Sequence, residues 1–423
     1  MSFDVALLSD LQSRLRSDGV IAGLPAPGRV SVLLEIDQSR FIVVWDDRGF
    51  AVNPSVGIND SWDFSFTVPA SAWEEFAKPV PGPLNNTPQA MVAQFGERLI
   101  SGNRVKWAQY VALVERILFC LKPIAPRGEV PALPRKSAIT ATYLTIDYEG
   151  REYRIFYEEA GAGIPMLCLH TAGSDSRQFK YMLEDPELQA DFRMIAFDMP
   201  WHGRSAPPRG WRHERYELDV HFYMGVIRAF SQALGLEKPV LVGCSMGGSI
   251  CLVMSGVHGH EFRAICALQG TLGGNPHAPS RRGIWTRHME VDRSLFLSTW
   301  VAGLMSPTSP QELQDDVLWE YGQGGPGVYN GDGAILSSLH EIAPTLKQAG
   351  CPLYVFSGDY DYSASPALCR QAADQLGGVL IPMDGKGHFP MAEDPVGFKT
   401  ALMPVLAKIK ALDPAAGALR RQA

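Results

Sequence analysis

The chain has 423 residues, of which 46% are hydrophobic and 20% are charged, and this is enough apolar sequence to form the cores of two domains. Its formal net charge of -7 argues against nucleic acid or an anionic membrane surface as a partner, because both repel an acidic protein. We expect a cytoplasmic protein with reduced thiols, since no signal peptide, no apolar membrane span and no CxxC cysteine pair is found.

Residues 1–121 predict a small α+β domain. Apolar runs over 29–36 and 40–46 are typical of two strands joined by a short polar turn, and 62–68 alternates as a third, half-buried strand does. An apolar stripe with spacings of three and four between 107 and 121 predicts a helix. Several strands covered by one long helix favour an α+β unit.

A proline-rich stretch at 122–137 predicts an interdomain linker. Over 138–412, short continuous apolar runs alternate with helix-length stretches, which predicts a doubly wound, mostly parallel α/β sheet that is buried on both faces. The interval at about 272–346 is too long for a simple connection and predicts a helical cap inserted in this domain. Residues 413–423 predict a frayed tail.

The sequence GCSMG at 243–247 follows an apolar run and precedes a helix-forming stretch. This G-x-S-x-G pattern predicts a sharp turn between strand and helix, with a strained backbone at Ser245. Glycine at positions 243 and 247 removes side chains that would collide with the neighbouring strand and helix. The hydroxyl of Ser245 is thereby predicted to stand at a helix N-terminus as a nucleophile.

A serine hydroxyl is a poor nucleophile unless a base takes its proton, and in this context the acid and then the base follow along the chain. His388 lies in a glycine-bounded loop after the last predicted strand and is the predicted base. The loop after the preceding strand offers two carboxylates, Asp359 and Asp361. The spacing from Gly358 favours Asp361 as the acid that orients the imidazole, and Asp359 stays as the alternative.

Acyl transfer also needs two backbone N–H donors for the oxygen that becomes negatively charged. One donor follows the nucleophile and belongs to Met246. The other is expected from the loop HTAGSDS at 170–176, where we assign it to Ala172.

Together, the motifs HTAG, FDMPWHGRS, GCSMGG, GDYD and GHF resemble those of the α/β-hydrolase fold family over about residues 140–410. The resemblance implies a triad of Ser245, His388 and Asp361, an oxyanion hole from the two N–H groups named above, and a helical cap. It implies neither a metal nor an organic cofactor. A serine at the nucleophile position argues against haloalkane dehalogenases and epoxide hydrolases.

The N-terminal domain resembles sterol-carrier-like domains more faintly. The resemblance rests on SAWEEFAK and on FGERLISGNRVKWAQYVALVERIL, which are similar to the end of that fold. In that family the domain encloses an apolar ligand. A dimerisation element, which would make the protein a homodimer, and a lid are the alternatives for this domain.

The leading hypothesis is a carboxylic ester hydrolase that acts on a small-to-medium apolar or aromatic substrate through an acyl-enzyme. Candidate substrate-binding residues are Thr171, Arg177, Trp285 and Trp300, because a guanidinium can hold a carboxylate and aromatic rings can line a pocket.

Other activities stay open. The first alternative is a carbon–carbon bond hydrolase of ring-fission products, a subfamily that usually has asparagine where this chain has Cys244. Lactonase and thioesterase activities fit the same triad. The non-enzymatic alternative is a protein that binds an apolar ligand without turning it over.

Overall fold

The computed structural model describes residues 5–25, 28–273 and 282–412, and the predicted tail at 413–423 lies outside them. The chain forms two compact units. The first contains the described residues of 1–127 and of 277–308, and the second contains those of 128–276 and from 309 onward. The boundary at 127 falls inside the predicted linker.

The strands fall into two sheets. Those of the first unit are β1 Arg29–Ile36, β2 Ser39–Asp46, β3 Gly49–Asn53, β4 Phe64–Val68 and β5 Ile100–Gly102. Those of the second unit are β6 Thr140–Tyr148, β7 Arg151–Ala160, β8 Ile164–Leu169, β9 Phe192–Phe197, β10 Val240–Cys244, β11 Ala264–Leu268, β12 Leu353–Gly358 and β13 Val379–Met383.

The helices precede, separate and follow these strands along the chain. In chain order they are α1 Val5–Ser17, α2 Gly19–Ala22, α3 Ala70–Phe76, α4 Pro88–Phe95, α5 Arg104–Phe119, α6 Lys180–Leu183, α7 Pro186–Asp191, α8 Val220–Ala233, α9 Met246–His258, α10 Arg282–Trp285, α11 Arg293–Ala302, α12 Gln311–Gly322, α13 Val328–Asp332, α14 Ile335–Ile342, α15 Pro366–Leu376, α16 Pro390–Glu393 and α17 Pro395–Lys410. Among the described helices, none combines the length and apolar character that a bilayer crossing needs.

The first unit is a five-stranded sheet in the order β3-β2-β1-β4-β5, covered by α5. The apolar stripe of α5 is buried as its spacing predicted, and Trp107 stacks on Phe66 with 4.9 Å between the ring centroids. Asn103 begins the helix, because its side chain accepts hydrogen bonds from the free N–H groups of the first turn. This α+β unit agrees with the sequence, whereas its resemblance to sterol-carrier-like domains stays a prediction.

The inserted interval does not form one cap. Helix α11 packs against α4 and α5, and Phe296 and Val291 enter the apolar core of the first unit. The side-chain amide of Asn86 donates to the carbonyl oxygens of Gly303 and Met305 and ties the segment down. Residues 282–308 of the predicted cap therefore belong to the first unit, whereas 272–273 and the helices α12, α13 and α14 belong to the second. The stretch 274–281 of the predicted cap lies outside the described residues.

The second unit is an eight-stranded sheet in the order β13-β12-β11-β10-β8-β9-β7-β6. The six strands from β13 to β9 are parallel, and β7 and β6 are added antiparallel at one edge. The mostly parallel sheet predicted from continuous apolar runs is confirmed. The same criterion does not predict the edge hairpin of β6 and β7, because β6 is largely exposed and has no continuous apolar run.

Successive residues of the central strands enter different cores. Leu167 and Leu169 of β8 pack with α8 and α9, whereas Met166 and Cys168 pack with α6, α7 and α17. This is the two-residue period of a strand whose faces are both covered by helices. The carboxyl ends of the parallel strands meet at one sheet edge, where the loops after β8, β10, β12 and β13 carry the predicted site residues.

Candidate active site

Ser245 lies in the turn between β10 and α9 with φ 56° and ψ -113°. A positive φ is strained for a residue with a side chain, so the surrounding structure must hold it. Two backbone hydrogen bonds do so: the N–H of Ser245 donates to Leu268 (2.9 Å), and its carbonyl accepts from Ser249 (2.7 Å). The Ser245 hydroxyl makes no capping bond to the helix that follows. The hydroxyl is therefore not used to cap α9, which agrees with its predicted role as a nucleophile.

Glycines let this turn close. A Cβ atom on Gly243 would lie 2.3 Å from the carbonyl oxygen of Gly247, and one on Gly247 would lie 2.5 Å from the carbonyl oxygen of Leu169. Real Cβ atoms essentially never approach that closely. The steric reason predicted for the two glycines is therefore confirmed, and Gly247 brings the start of α9 against the end of β8.

His388 and Asp361 meet in the loops after β13 and β12. His388 Nδ1 lies 2.5 Å from Asp361 Oδ2, and both side chains are buried. The other carboxylate oxygen accepts from the hydroxyl of Ser363 (2.7 Å) and from the N–H groups of Ser363 (2.7 Å) and Ala364 (3.1 Å). Burial alone would raise the pKa of Asp361, but attraction to His388 and these hydrogen bonds hold it below its usual value. Asp361 is therefore an ionised partner for the imidazole.

Asp359, the alternative acid, is placed differently. Its side chain is exposed, and Oδ1 accepts from the backbone N–H of Gly385 at 2.7 Å. It caps a loop, and Asp361 is the carboxylate in contact with His388.

Two contacts hold the His388 loop at the strand ends. The thiol of Cys244 donates to the carbonyl oxygen of His388 (3.1 Å), and the side-chain amide of Gln269 donates to the carbonyl of Gly387 (2.6 Å). The backbone of His388 therefore lies beside the residue that directly precedes Ser245.

The loop after β8 presents a free backbone donor. The N–H of Thr171 donates to Gln178 Oε1 (3.1 Å) and that of Gly173 donates to Asp332 Oδ2 (2.6 Å). Between them, the N–H of Ala172 has no acceptor among the described residues, and the same holds for Met246 at the first position of α9. Such a pair of donors can bind an anionic oxygen.

Two of the candidate substrate-binding residues, Thr171 and Arg177, make hydrogen bonds with other side chains of the protein. Thr171 is buried, and its hydroxyl shares a hydrogen bond with that of Tyr321 (2.7 Å). The guanidinium of Arg177 pairs with Asp175 and donates to Gln323 (2.8 Å), and its role in holding a substrate carboxylate stays a prediction.

Trp285 and Trp300 both belong to the first unit. Trp285 packs against the apolar core of that unit, and Trp300 is buried. Their segment lies in the first unit and not in a cap of the second. Their role in substrate binding stays a prediction.

Other residues at the site were missed or assigned no role. Asp332 and Gln178 hold the loop that carries Ala172, and Glu393 accepts from the N–H of Phe389 (3.0 Å), next to His388. Ser363 supports the acid. Gln178 follows its partner closely in sequence, but Asp332 comes from 159 residues away, so no local pattern could have identified it.

Residues 166–401 match the family described as "Alpha/beta hydrolase family". A 2-hydroxymuconate semialdehyde hydrolase from Pseudomonas sp. (strain CF600) is 33% identical over 116 residues, which are 27% of this chain and 39% of that protein. Bifunctional epoxide hydrolase 2 from Sus scrofa is 32% identical over 162 residues, which are 37% and 26% of the two chains. The chain thus matches about a quarter to two fifths of these curated relatives.

Solved structures share the fold. A thermophilic esterase from Thermogutta terrifontis superposes with a TM-score of 0.52 at 19% identity, over 64% of this chain and 99% of the other. The enol-lactonase from Burkholderia xenovorans LB400 superposes with a TM-score of 0.53 at 18% identity, over 63% and 100%. At these identities the similarity concerns the fold alone.

Proposed function

The chain belongs to the alpha/beta hydrolase family, and we propose that it is a serine hydrolase that cleaves carboxylic esters through an acyl-enzyme. Ser245 is the nucleophile, His388 the general base and Asp361 the acid that orients it. The observation that carries the proposal is the buried His388–Asp361 hydrogen bond, together with the contact between the His388 carbonyl and Cys244, the residue before Ser245.

The hydrogen bond to Asp361 indicates which ring nitrogen of His388 carries the proton. Asp361 accepts from His388 Nδ1, which fixes the tautomer that leaves a lone pair on Nε2. Nε2 takes the hydroxyl proton while Ser245 Oγ bonds to the ester carbonyl carbon. The N–H groups of Met246 and Ala172 bind the resulting oxyanion, which α9 also favours through its dipole.

Collapse of this intermediate breaks the bond to the leaving oxygen, and the proton on His388 goes to the departing alcohol. Water then enters. It gives its proton to His388 and attacks the acyl carbon, and release of the carboxylic acid returns the proton to Ser245.

An apolar or aromatic substrate fits the side chains around the loop. The ring of Tyr321 lies 5.6 Å from that of Phe389 and 6.4 Å from that of Tyr329, and Tyr329 packs on Gly173. Aromatic rings therefore pack beside the loop that carries Ala172, and this supports an apolar surrounding for the reacting carbonyl.

The second candidate is a carbon–carbon bond hydrolase. It is favoured by the 33% identity to 2-hydroxymuconate semialdehyde hydrolase. Epoxide hydrolysis is not proposed, since the nucleophile position holds serine.

The test is hydrolysis of p-nitrophenyl esters of increasing acyl length by the wild-type protein and by Ser245→Ala. Turnover that Ser245→Ala abolishes would support the esterase, and the optimal length would size the acyl pocket. Absence of turnover on every ester by folded protein would contradict it. A 2-hydroxy-6-oxo-dienoate, assayed in parallel, distinguishes the two candidate activities. Its cleavage without ester turnover would favour the carbon–carbon bond hydrolase.

A further inference from the structure

A single buried carboxylate anchors the loop that carries the Ala172 donor. Asp332, the last residue of α13, accepts from the N–H of Gly173 (2.6 Å) and from His202 Nε2 (2.9 Å) on one oxygen. Its other oxygen accepts from the hydroxyl of Tyr216 (2.7 Å). Three donors, one from the loop after β8 and two from the connection between β9 and α8, therefore converge on one side chain, which is almost fully buried.

The hydrogen bonds of His202 require a positive charge. Its Nδ1 lies 3.1 Å from the carbonyl oxygen of Pro200, and its Nε2 faces Asp332. Both neighbours accept, so both ring nitrogens carry a hydrogen. Burial is the largest single effect and lowers the pKa of His202, but attraction to Asp332 and the hydrogen bonds to Asp332 and Pro200 together raise it above its usual value. The pair is a buried imidazolium and carboxylate. Removal of one partner would leave the other charge buried and unpaired, which destabilises the folded protein.

A second histidine holds the donor peptide itself. His170 Nε2 accepts from the N–H of Met199 (3.1 Å), so the single ring proton sits on Nδ1, which donates to the carbonyl of Thr171 (2.8 Å). Burial, together with the nearby charge of His202, lowers the pKa of His170 to about 4 and keeps it neutral. The two rings lie 4.8 Å apart.

The geometry of one peptide group connects these contacts. The carbonyl of Thr171 and the N–H of Ala172 belong to the same planar trans peptide, so they point in opposite directions. His170 fixes the carbonyl end of this plane, and Asp332 fixes the next N–H along the chain, at Gly173. With both flanks held, the direction of the Ala172 N–H is set.

We infer that Asp332, charged and paired with His202, is a positioning residue that aims the Ala172 N–H at the oxyanion formed on Ser245. The inference rests on the proposed function and adds to it a second constellation, separate from the triad. Charge-assisted hydrogen bonds are short and directional, which suits a group that must hold a loop still during the reaction.

Asp332→Asn tests this. Asparagine keeps the size and an acceptor for Gly173 but removes the charge. We expect kcat on the best p-nitrophenyl ester to fall roughly 10- to 100-fold with KM within about twofold, because only transition-state binding is weakened. A trifluoromethyl ketone, which adds to the serine and forms a tetrahedral oxyanion, should lose affinity by the same factor. Affinity for the product carboxylic acid should not change.

The control is Asp219→Asn, because Asp219 also accepts from a backbone N–H, that of Phe222 at the start of α8, and no hydrogen bond among the described residues joins it to the loop. It should keep the wild-type kcat. If Asp332→Asn does not fold, His202→Gln carries the test, since glutamine donates to Asp332 without a charge. The same paired losses of kcat and ketone affinity are expected.

Three outcomes would overturn the inference. One is a folded Asp332→Asn with wild-type kcat, and another is a loss of kcat without loss of ketone affinity; both leave the proposed function standing if Ser245→Ala is inactive. The third is wild-type protein that neither turns over an ester nor forms the ketone adduct, which would end the proposed function as well.

Discussion

The thiol of Cys244 donates a hydrogen bond to the carbonyl oxygen of His388, with 3.1 Å between sulfur and oxygen. Burial raises the pKa of this thiol far above its usual value, so it stays protonated and can donate. The last residue of β10 thus sets the position of a loop that follows β13, at the far edge of the same sheet.

Cys244→Ala should loosen the His388 loop, because it leaves a buried carbonyl without its donor. We expect a loss of about 1 kcal/mol in the free energy of unfolding and a several-fold fall in kcat. Cys244→Ser, which retains a donor, is the matched control and should lose less. Urea unfolding and steady-state kinetics measure both, and equal losses in the two variants would contradict a role for the hydrogen bond.

Asp361→Asn should lower kcat by about 10⁴-fold on the precedent of other serine triads, since the amide favours the wrong imidazole tautomer. Asp359→Asn is the control. It changes a carboxylate two residues away that only caps a loop, and it should leave kcat unchanged. A larger loss in Asp359→Asn than in Asp361→Asn would exchange the two assignments.

Gly247→Ala should destabilise the second unit and remove activity. Its methyl group would lie 2.5 Å from one backbone oxygen, so β8 and α9 must move apart, at a cost of about 2 kcal/mol or more. Gly322→Ala makes the same change at the end of α12, where nothing lies within 4 Å of the new carbon. Thermal and urea unfolding should show it neutral or about 0.5 kcal/mol more stable. Equal destabilisation in both variants would show that the effect is not steric.

Glu320→Gln should stabilise the protein at alkaline pH. Glu320 is buried, and within the described chain its Oε2 has no hydrogen-bond partner. Burial, with a smaller contribution from Asp175, raises its pKa to about 8. The unfolded state therefore ionises first, and this group costs stability progressively as the pH rises from its ordinary value of 4.5 toward 8.

The gain of Glu320→Gln in the free energy of unfolding should be about 1–3 kcal/mol at pH 8 and close to zero at pH 4, where both states are protonated. Glu312→Gln, an exposed position on the same helix, should show no such dependence. A gain that is equal at both pH values would mean that ionisation of Glu320 is not its cause.

The strand–turn–helix around Ser245 could be predicted because every residue it needs lies within 243–247. Each steric requirement there is local: two glycines, one strained residue, and apolar runs on either side. The parallel sheet could be predicted for the same reason, since a strand buried on both faces is apolar at every position.

The choice between Asp361 and Asp359 shows that spacing along the sequence does not by itself identify the carboxylate that contacts the histidine. Both follow β12 within three residues, and only the path of the loop turns one carboxylate inward and leaves the other exposed. The sequence favoured the correct contact but could not exclude the other.

The sequence does not predict which unit α11 packs against. A helical stripe with Phe296 and Trp300 indicates that one face is buried, but the pattern is the same whichever core it joins. For Asp332 the difficulty is distance along the chain, because its partners in the loop and after β9 come together only in the folded unit.

The placement of Phe296 and Val291 affects how the two units can be exchanged between genes by recombination. The core of the first unit is encoded in two stretches, with much of the second unit between them. A single genetic crossover at the linker would deliver neither unit whole: one product would lack α11, and the other would carry it without α4 and α5, against which it packs. The two units are therefore expected to pass from one protein to another together, as a single gene segment.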